Sequence, residues 1–372
     1  MRIGLNLLSV VPGETGGAEV YARGLVPALG ALAGGEALTL FAAPELAAEL
    51  SERPWVPGAE ICVGRAPGRS RIRRTLAEQT LAPAAVRRSG VDVFHNLQST
   101  APAVRAAPAV VTTVLDLLYL HHPETHSPLL RRGMSVLVPL AVRRSDRIIA
   151  ISQATKDDIV ASLHTPAEKI DVVHLGPGAD AASTPEAGLR ERLQLGDAPI
   201  LLSPSARRAH KNLERLLDAF AAVQTDAVLV LPGYATGAED ALADRARSLG
   251  ITDRVRFTGW LADADLAGLY ACATALVFPS LAEGFGLPVL EAMRHGLPVA
   301  CADRTSLPEI AGDAALLFDP ESTEAITEAI RALLSDAALR ERLAAAGRQR
   351  AQQFSWERTA RETLAVYERA LP

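Results

Sequence analysis

The chain has few of the residues that build disulfide frameworks or metal clusters. Its 372 residues include only three cysteines, Cys62, Cys272 and Cys301, a scattered set without the spacing of a metal site. We interpret them as small core residues of a protein from a reducing compartment. Lysine is scarce as well, with three among 38 basic residues, a bias that we attribute to a GC-rich genome rather than to function.

The sequence also lacks a long apolar run, because none approaches the ~18–20 residues that a membrane span needs. The apolar start at residues 1–11 is short, has no A-x-A cleavage pattern and leads into Pro12-Gly13, which favours a first strand over a signal peptide. A net charge of -5 gives no support for nucleic-acid binding. We therefore expect a cytoplasmic protein.

Arginines are concentrated in three places of the N-terminal half: Arg65, Arg69, Arg71, Arg73 and Arg74; Arg131 and Arg132; Arg143 and Arg144. A solvated helix face is the favoured interpretation of these clusters. A weak peripheral contact with a membrane surface, at its inner face, is the alternative.

Apolar residues make up 49% of the sequence, enough for a sizeable core, and the length suits two domains of ordinary size. Short apolar runs alternate with helical patterns on both sides of residues 175–185, a stretch rich in glycine, proline, alanine and serine. This alternation predicts an α/β protein with two doubly wound, Rossmann-like parallel-sheet domains facing across a cleft. We place the domains at residues 1–180 and 186–354, with a C-terminal helix at about 355–372.

The stretch Glu283-Gly-Phe-Gly-Leu-Pro-Val-Leu-Glu291 follows an apolar run at residues 275–280 that predicts a buried strand. Its two glycines allow a sharp turn, and Pro288 suits the first position of a helix. Free amides at the start of that helix should point outward at its positive end, where an anion binds. Two carboxylates flank this site, which suits a ligand with both phosphates and hydroxyls. A sugar nucleotide is such a ligand.

This stretch resembles the E-x7-E motif of the family-four retaining glycosyltransferases (glycosyl transferases group 1), which have the GT-B fold. In that family the first glutamate contacts the donor sugar and the second contacts the nucleotide ribose, roles that the resemblance gives to Glu283 and Glu291. Phe285, Gly286 and Leu287 then supply the anion-binding amides. The segment 354–358 is similar to the family's terminal segment, which crosses back to brace the first domain.

The loop at residues 203–213 follows the first strand of the second domain, and the family carries an arginine and a Lys-Asn pair in this loop. Lys211-Asn212 match that pair, and Asn212 is a good residue to cap the next helix. Arg207 and Lys211 are expected to bind the donor diphosphate and to stabilise the leaving charge without a metal or another cofactor. Arg208 is the alternative to Arg207.

Three further segments bear on the donor site. The turn at Gly16-Gly17 resembles the family's G-G-x-E loop, whose glycines approach the donor phosphates and the acceptor. The family places the nucleotide base against residues 259–261, which include Trp260. Asp263-Ala-Asp265 has the form of a metal-binding D-x-D, but its place between a strand and a helix favours an acidic first helical turn, and we expect no metal.

The N-terminal half offers polar residues for the acceptor. His95 lies near the carboxyl end of the predicted strand 91–96, and Asp116 follows the next strand, at the edge where open α/β sheets bind ligands. An imidazole-rich loop follows, with His121, His122 and His126. Pro123 interrupts the helical spacing of the 122/126 pair, so an acceptor-side loop is favoured over a metal site. Many relatives have a His-Asp pair where this chain has Leu115-Asp116; the role of that histidine is either absent or taken by His95.

Together these features predict a hexosyltransferase that uses a UDP- or GDP-sugar, with Lys211, Arg207, Glu283 and His95 as catalytic residues. The acceptor is expected to be a hydroxyl of a glycan, a lipid-linked sugar or a natural product. The alternatives are a sugar-nucleotide epimerase or phosphorylase of the same fold, or a non-catalytic sugar-nucleotide-binding protein. A dehydrogenase is disfavoured because the dinucleotide fingerprint G-x-G-x-x-G is missing.

Overall fold

The computed structural model describes residues 1–13, 16–64, 71–80, 82–125, 127–178, 182–234 and 239–372. The chain divides into two compact units. One consists of Met1–Gly176 with Phe354–Pro372, and the other of Pro177–Gln353. The division at Gly176 lies at the start of the 175–185 segment, a few residues before the boundary expected from composition.

The first unit is built on a parallel sheet. Its described strands are β1 (Ile3–Leu7), β2 (Leu38–Ala42), β3 (Glu60–Val63), β4 (Val93–Asn96), β5 (Ala109–Val114), β6 (Arg147–Ala150) and β7 (Ile170–Val172). They lie in the order β3-β2-β1-β4-β5-β6-β7. The chain moves outward from β1 in one direction and from β4 in the other, so right-handed crossovers place helices on both faces. The central strands β1, β4 and β5 are therefore buried throughout.

The described helices of this unit that precede the second unit are α1 (Gly17–Ala33), α2 (Pro44–Glu52), α3 (Arg71–Thr80), α4 (Ala82–Ser89), α5 (Leu118–His121), α6 (Pro128–Arg144) and α7 (Gln153–Leu163). Ser152 caps α7, because its hydroxyl accepts a hydrogen bond from the Thr155 amide at 3.1 Å. Helix α6 has Pro128 at its first position and Ser127 as its N-cap.

The second unit repeats this architecture. Its described strands are β8 (Ile200–Leu202), β9 (Val228–Pro232), β10 (Val255–Gly259), β11 (Ala275–Phe278), β12 (Val299–Ala302) and β13 (Ala315–Phe318), and they lie in the order β10-β9-β8-β11-β12-β13. Its described helices are α8 (Glu186–Arg192), α9 (Leu213–Ala221), α10 (Glu239–Ser248), α11 (Asp263–Cys272), α12 (Leu287–Arg294), α13 (Leu307–Ala311), α14 (Thr323–Ser335) and α15 (Ala337–Ala351). The direction of winding switches between β8 and β11, the point where such sheets bind ligands.

The last helix, α16 (Trp356–Ala370), belongs to the first unit. Its N-cap Ser355 accepts a hydrogen bond from the Arg358 amide. The Trp356 ring packs against Tyr21 of α1, with ring centroids 6.3 Å apart. Thr359 donates to the carbonyl of His174 at 2.7 Å. Fully buried Tyr367 then extends this packing into the sheet.

Among the described residues, no helix combines the length and the hydropathy that crossing a membrane requires. The arginines of α6, Arg131, Arg132, Arg143 and Arg144, are exposed, which agrees with a solvated helix face. Arg65 and Arg69 lie outside the described residues, and so do the side chains of Arg71, Arg73 and Arg74. The three cysteines are free thiols, and Cys301 is buried in β12.

Candidate active site

The loop after β11 has the turn that its sequence predicts. Gly286 lies at the N-cap of α12 with φ of 105°, a left-handed conformation that a residue with a side chain rarely adopts. The hydroxyl of Ser306 lies 2.9 Å from the carbonyl oxygens of both Glu283 and Phe285. The amide of Glu283 donates to the Thr305 hydroxyl at 3.0 Å. The segment before α13 therefore fixes this loop from outside it, and α12 begins at Leu287, one residue before Pro288.

Lys211 and Glu283 form an ion pair at the carboxyl ends of the neighbouring strands β8 and β11. Lys211 Nζ lies 2.6 Å from Glu283 Oε1, and the two side chains are 15% and 12% exposed. The ammonium also lies 5.6 Å from the centroid of the Phe278 ring. This ion pair at the switch point of the second sheet brings together two residues that the sequence predicts for one site.

Asn212 begins α9, but its side chain does not cap the helix. Its φ of 59° is left-handed, and its amide group donates to the carbonyls of Pro279 at 3.1 Å and Pro320 at 2.8 Å. The prediction of a side-chain cap was therefore wrong. Asn212 ties the loop after β8 to the loop after β11, and this positions Lys211 beside Glu283.

Arg207 and Arg208 differ sharply in their surroundings. Arg207 is 6% exposed, and its guanidinium lies 5.3 Å from the centroid of the Phe257 ring in β10. Arg208 is exposed. A buried arginine over an aromatic ring is held in one conformation, which favours Arg207 as the arginine of a binding site.

Glu291 lies in α12 and is held by a tyrosine that the sequence analysis did not single out. The hydroxyl of Tyr270, in α11, donates to Glu291 Oε2 at 2.9 Å. Burial raises the pKa of Glu291 to about 7, although the hydrogen bond from Tyr270 works in the opposite direction. The carboxyl group therefore changes charge near neutral pH.

Trp260 follows β10 and is 57% exposed. Its ring stacks on Tyr234, which follows β9, with centroids 4.3 Å apart and an interplanar angle of 22°. An exposed indole braced by a second aromatic ring presents a flat apolar surface of the kind on which a base stacks.

The Asp263-Ala-Asp265 segment is the acidic first turn of α11, as its position suggests. Asp265 is occupied by an ion pair with Arg192 at 2.6 Å and a hydrogen bond from Thr184 at 2.7 Å. Across the parts of the chain that are described, no three histidine, cysteine or acidic side chains are grouped to hold a metal ion.

His95 lies in the core of the first unit. It has no exposed surface, and its Nδ1 and Nε2 atoms lie 2.7 Å from the Tyr367 hydroxyl and 2.8 Å from the Thr113 hydroxyl. Burial lowers its pKa to about 3, so the ring is neutral. His95 pairs in register with Leu5 and Val111 inside the sheet, and its side chain meets α16 instead of the edge where ligands bind. This environment is that of a structural histidine and weighs against a direct acceptor contact.

The other acceptor-side residues lie at the surface or in turns. Asp116 accepts a hydrogen bond from the Leu118 amide at 3.0 Å, at the start of α5. His121 is half exposed and lies 2.7 Å from Asp158. His122 contacts Glu124 at 3.1 Å. Gly16 and Gly17 form the N-terminus of α1, and His126 lies outside the described residues.

A buried polar cluster lies at the carboxyl ends of β1 and β4 and was not predicted from the sequence. Asn6 donates to Glu78 at 2.8 Å and to Asn96 at 3.0 Å, and Thr100 donates to Glu78 at 3.1 Å. Burial raises the pKa of Glu78 against the lowering effect of these hydrogen bonds. The available signal was an asparagine inside the apolar run Ile-Gly-Leu-Asn-Leu.

Comparison with known proteins identifies the family. Residues 188–350 match the family model described as "Glycosyl transferases group 1", and residues 15–177 match "Glycosyltransferase Family 4". "O-antigen chain mannosyltransferase B" of Escherichia coli is 33% identical over 264 residues, 69% of this chain and 69% of that protein. "MMP alpha-(1->4)-mannosyltransferase" of Mycolicibacterium hassiacum is 31% identical over 316 residues, 77% and 72% of the two chains. The chain belongs to the group 1 glycosyltransferases.

Solved structures show the fold of this glycosyltransferase. A glycosyltransferase from Rickettsia africae has a TM-score of 0.76 at 18% identity and covers 100% of this chain and 98% of its own. HepE of Anabaena, solved with UDP-glucose, has a TM-score of 0.76 at 20% identity over 99% and 100% of the chains. The enzyme therefore has the GT-B fold that the sequence predicted, with two Rossmann-like parallel-sheet units.

Proposed function

We propose that this glycosyltransferase moves a hexose from a UDP- or GDP-sugar to an acceptor hydroxyl, with retention of the anomeric configuration and without a divalent metal. The observation that carries the proposal is the Lys211–Glu283 pair at 2.6 Å, located where the winding of the second sheet switches. An ammonium and a carboxylate at that place match the two ends of a sugar diphosphate. The ammonium suits the phosphate charge and the carboxylate suits the sugar hydroxyls.

Mannose is the sugar that we propose first. The two relatives described above are named as mannosyltransferases, and each is at least 31% identical to this chain. The HepE structure was solved with UDP-glucose, but at 20% identity the similarity supports only a shared fold and not a shared donor. The base is therefore left to the donor assay below, and the acceptor is a hydroxyl of a glycan, a lipid-linked sugar or a natural product.

In the proposed mechanism, Lys211 leaves its ion pair with Glu283 and binds the donor diphosphate. Glu283 then accepts hydrogen bonds from the sugar hydroxyls. The bond from sugar C1 to the phosphate oxygen breaks, and the acceptor oxygen bonds to C1 on the same face. The acceptor proton passes to the departing phosphate oxygen. Lys211 and Arg207 stabilise the charge that grows on the diphosphate, the role that a metal plays in other transferases.

Further contacts are assigned by position. Glu291 accepts hydrogen bonds from the ribose hydroxyls, the amides of residues 285–287 face the phosphates, and Trp260 stacks on the base. On the acceptor side we propose Asp116, His121 and His122. His95 is withdrawn from this set because it is fully buried.

A donor panel tests the proposal. GDP-mannose, UDP-glucose, GDP-glucose and UDP-galactose are each incubated with the enzyme in EDTA, and nucleoside diphosphate release is measured with and without a library of hydroxyl acceptors. Release with one donor, and an α-linked product by NMR from an α-linked donor, is the expected result. Tight donor binding without any release would instead favour a non-catalytic binding protein, and a free epimerised sugar would favour an epimerase.

A further inference from the structure

Glu291 accepts a hydrogen bond from an almost fully buried tyrosine. Tyr270 is 3% exposed, and its hydroxyl donates to Glu291 Oε2 at 2.9 Å. The Tyr270 ring stacks on His295 at the end of α12, with centroids 5.5 Å apart and an interplanar angle of 14°. The phenol therefore has one orientation, and it donates its only proton to this carboxylate.

On the other side, Glu291 is held by the backbone of Gly178. The amide of Gly178 donates to the carboxylate, and a Cβ at this residue would come within 2.4 Å of Glu291 Oε1. Arg294, one helical turn further along α12, donates from Nη1 to the Gly178 carbonyl at 2.8 Å. Two residues of α12 thus hold both backbone polar groups of Gly178, and only glycine allows so close an approach.

We propose that Tyr270 and Gly178 are positioning residues that fix the Glu291 carboxylate for the ribose hydroxyls of the donor. The inference rests on the proposed function, because it takes the ribose contact of Glu291 from there. The carboxylate accepts the Tyr270 hydrogen bond at Oε2 and keeps lone pairs for the ligand. A carboxylate fixed in this way loses little side-chain entropy when the donor binds. Because this entropic cost is small, donor affinity is higher.

The electrostatics of the cluster give an independent readout. Among the described residues, the ionisable groups around Glu291 are Tyr270 and Asp263 from α11, Arg294 from its own helix and His295 at the C-cap of that helix. Asp263 raises the pKa of Glu291, whereas the Tyr270 hydrogen bond lowers it. Loss of the Tyr270 hydroxyl should therefore raise the pKa of Glu291 further. The acidic limb of the kcat/KM profile should move to higher pH.

The test compares Tyr270→Phe and Gly178→Ala with the wild type. The inhibition constants of GDP and UDP are measured beside those of their 2′,3′-dideoxy analogues, together with KM and kcat for the active donor. We expect the wild type to prefer the ribose forms, and each variant to lose roughly five- to tenfold of that preference, about the worth of one hydrogen bond. KM should rise while kcat stays within about twofold.

The matched control is Tyr21→Phe, which also removes a buried hydroxyl, in this case one bonded to Thr113 at 3.0 Å in the first unit. It should lower the melting temperature but leave both the ribose preference and the pH profile unchanged. An unchanged ribose preference in both Tyr270→Phe and Gly178→Ala overturns the inference. If Glu291→Gln also leaves the ribose preference intact, the proposed contact between Glu291 and the ribose is wrong. If Glu291→Gln alone abolishes the preference, that contact is supported, and the positioning roles of Tyr270 and Gly178 are wrong.

Discussion

Glu291→Gln should make the ligand-free protein more stable at alkaline pH. Burial raises the pKa of this carboxyl from 4.5 to about 7 in the folded protein. Because one pH unit corresponds to about 1.4 kcal/mol, ionised Glu291 lowers the free energy of unfolding by about 3 kcal/mol. The amide of glutamine has nearly the same shape, carries no charge, and keeps an oxygen for the Tyr270 hydroxyl.

The sign of the pH dependence follows from the direction of the shift. A group whose folded pKa is raised contributes full stability below its unfolded pKa of 4.5, and this contribution is lost as the pH rises towards 7. The advantage of Glu291→Gln over the wild type should therefore be under about 1 kcal/mol at pH 5 and about 3 kcal/mol at pH 8. In a unit of this size the larger value corresponds to a rise in melting temperature of roughly 6–12 °C.

Calorimetric melts of the wild type and Glu291→Gln at pH 5, 6, 7 and 8 measure this difference. Glu341→Gln is the control, since Glu341 is exposed on α15 of the same unit and its substitution should shift the melting temperature by little at any pH. A gain that is equal at pH 5 and pH 8, or absent at pH 8, would refute the reasoning. The expected gain in stability would accompany weaker donor binding, the usual relation at a functional site.

Three further outcomes are expected. Lys211→Ala should raise the activation free energy of the transfer step by roughly 2–4 kcal/mol and lower kcat more than donor affinity. The control Lys169→Ala removes a lysine bonded to backbone carbonyls and should leave kcat unchanged. A kcat of Lys211→Ala within about twofold of the wild type would remove Lys211 from the site. EDTA should not abolish turnover, and a loss restored by Mn²⁺ or Mg²⁺ would bring Asp263 and Asp265 back as metal ligands. His95→Ala should lower the melting temperature by several degrees and keep the kcat of the folded fraction, since His95 bonds only to core groups; the opposite pattern would restore its acceptor role.

The strands of both units were predictable because buried parallel strands leave short apolar runs between helical patterns. The ends of the strands were not. Residues 8–11 remain largely buried after β1 and look like strand in the sequence, but the Val10 amide bonds back to the Leu7 carbonyl in a turn. Burial and hydrogen bonding to a neighbouring strand are different properties, and only burial can be inferred from the apolar composition of a segment.

The proximity of Lys211 and Glu283 was predictable because each residue follows its own strand in a glycine- or proline-marked loop, and the family motif supplies the spacing. His95 shows the opposite case. A strand that is buried on both faces gives no alternation from which to infer where a side chain points. The α16 helix that covers His95 comes from the far end of the chain, so no local pattern indicated that Tyr367 would bond to its ring.

The two glutamates of the motif are neutralised in different ways, and this difference follows from their partners. Glu283 lies 2.6 Å from the Lys211 ammonium, in a pair that is largely buried. Among the described residues, burial and nearby Asp263 raise the pKa of Glu291 to about 7, against the neutral donors Tyr270 and Gly178, so it is half protonated near that pH. In the proposed mechanism, the donor places its phosphate at Lys211 and its sugar hydroxyls at Glu283. Its ribose hydroxyls would add hydrogen-bond donors to the Glu291 carboxylate. Donor binding should therefore lower the pKa of Glu291 and release a proton between pH 6 and 8, which calorimetric titrations in buffers of different ionisation enthalpy would detect. Binding without proton release across that range would mean that the nucleotide does not reach Glu291.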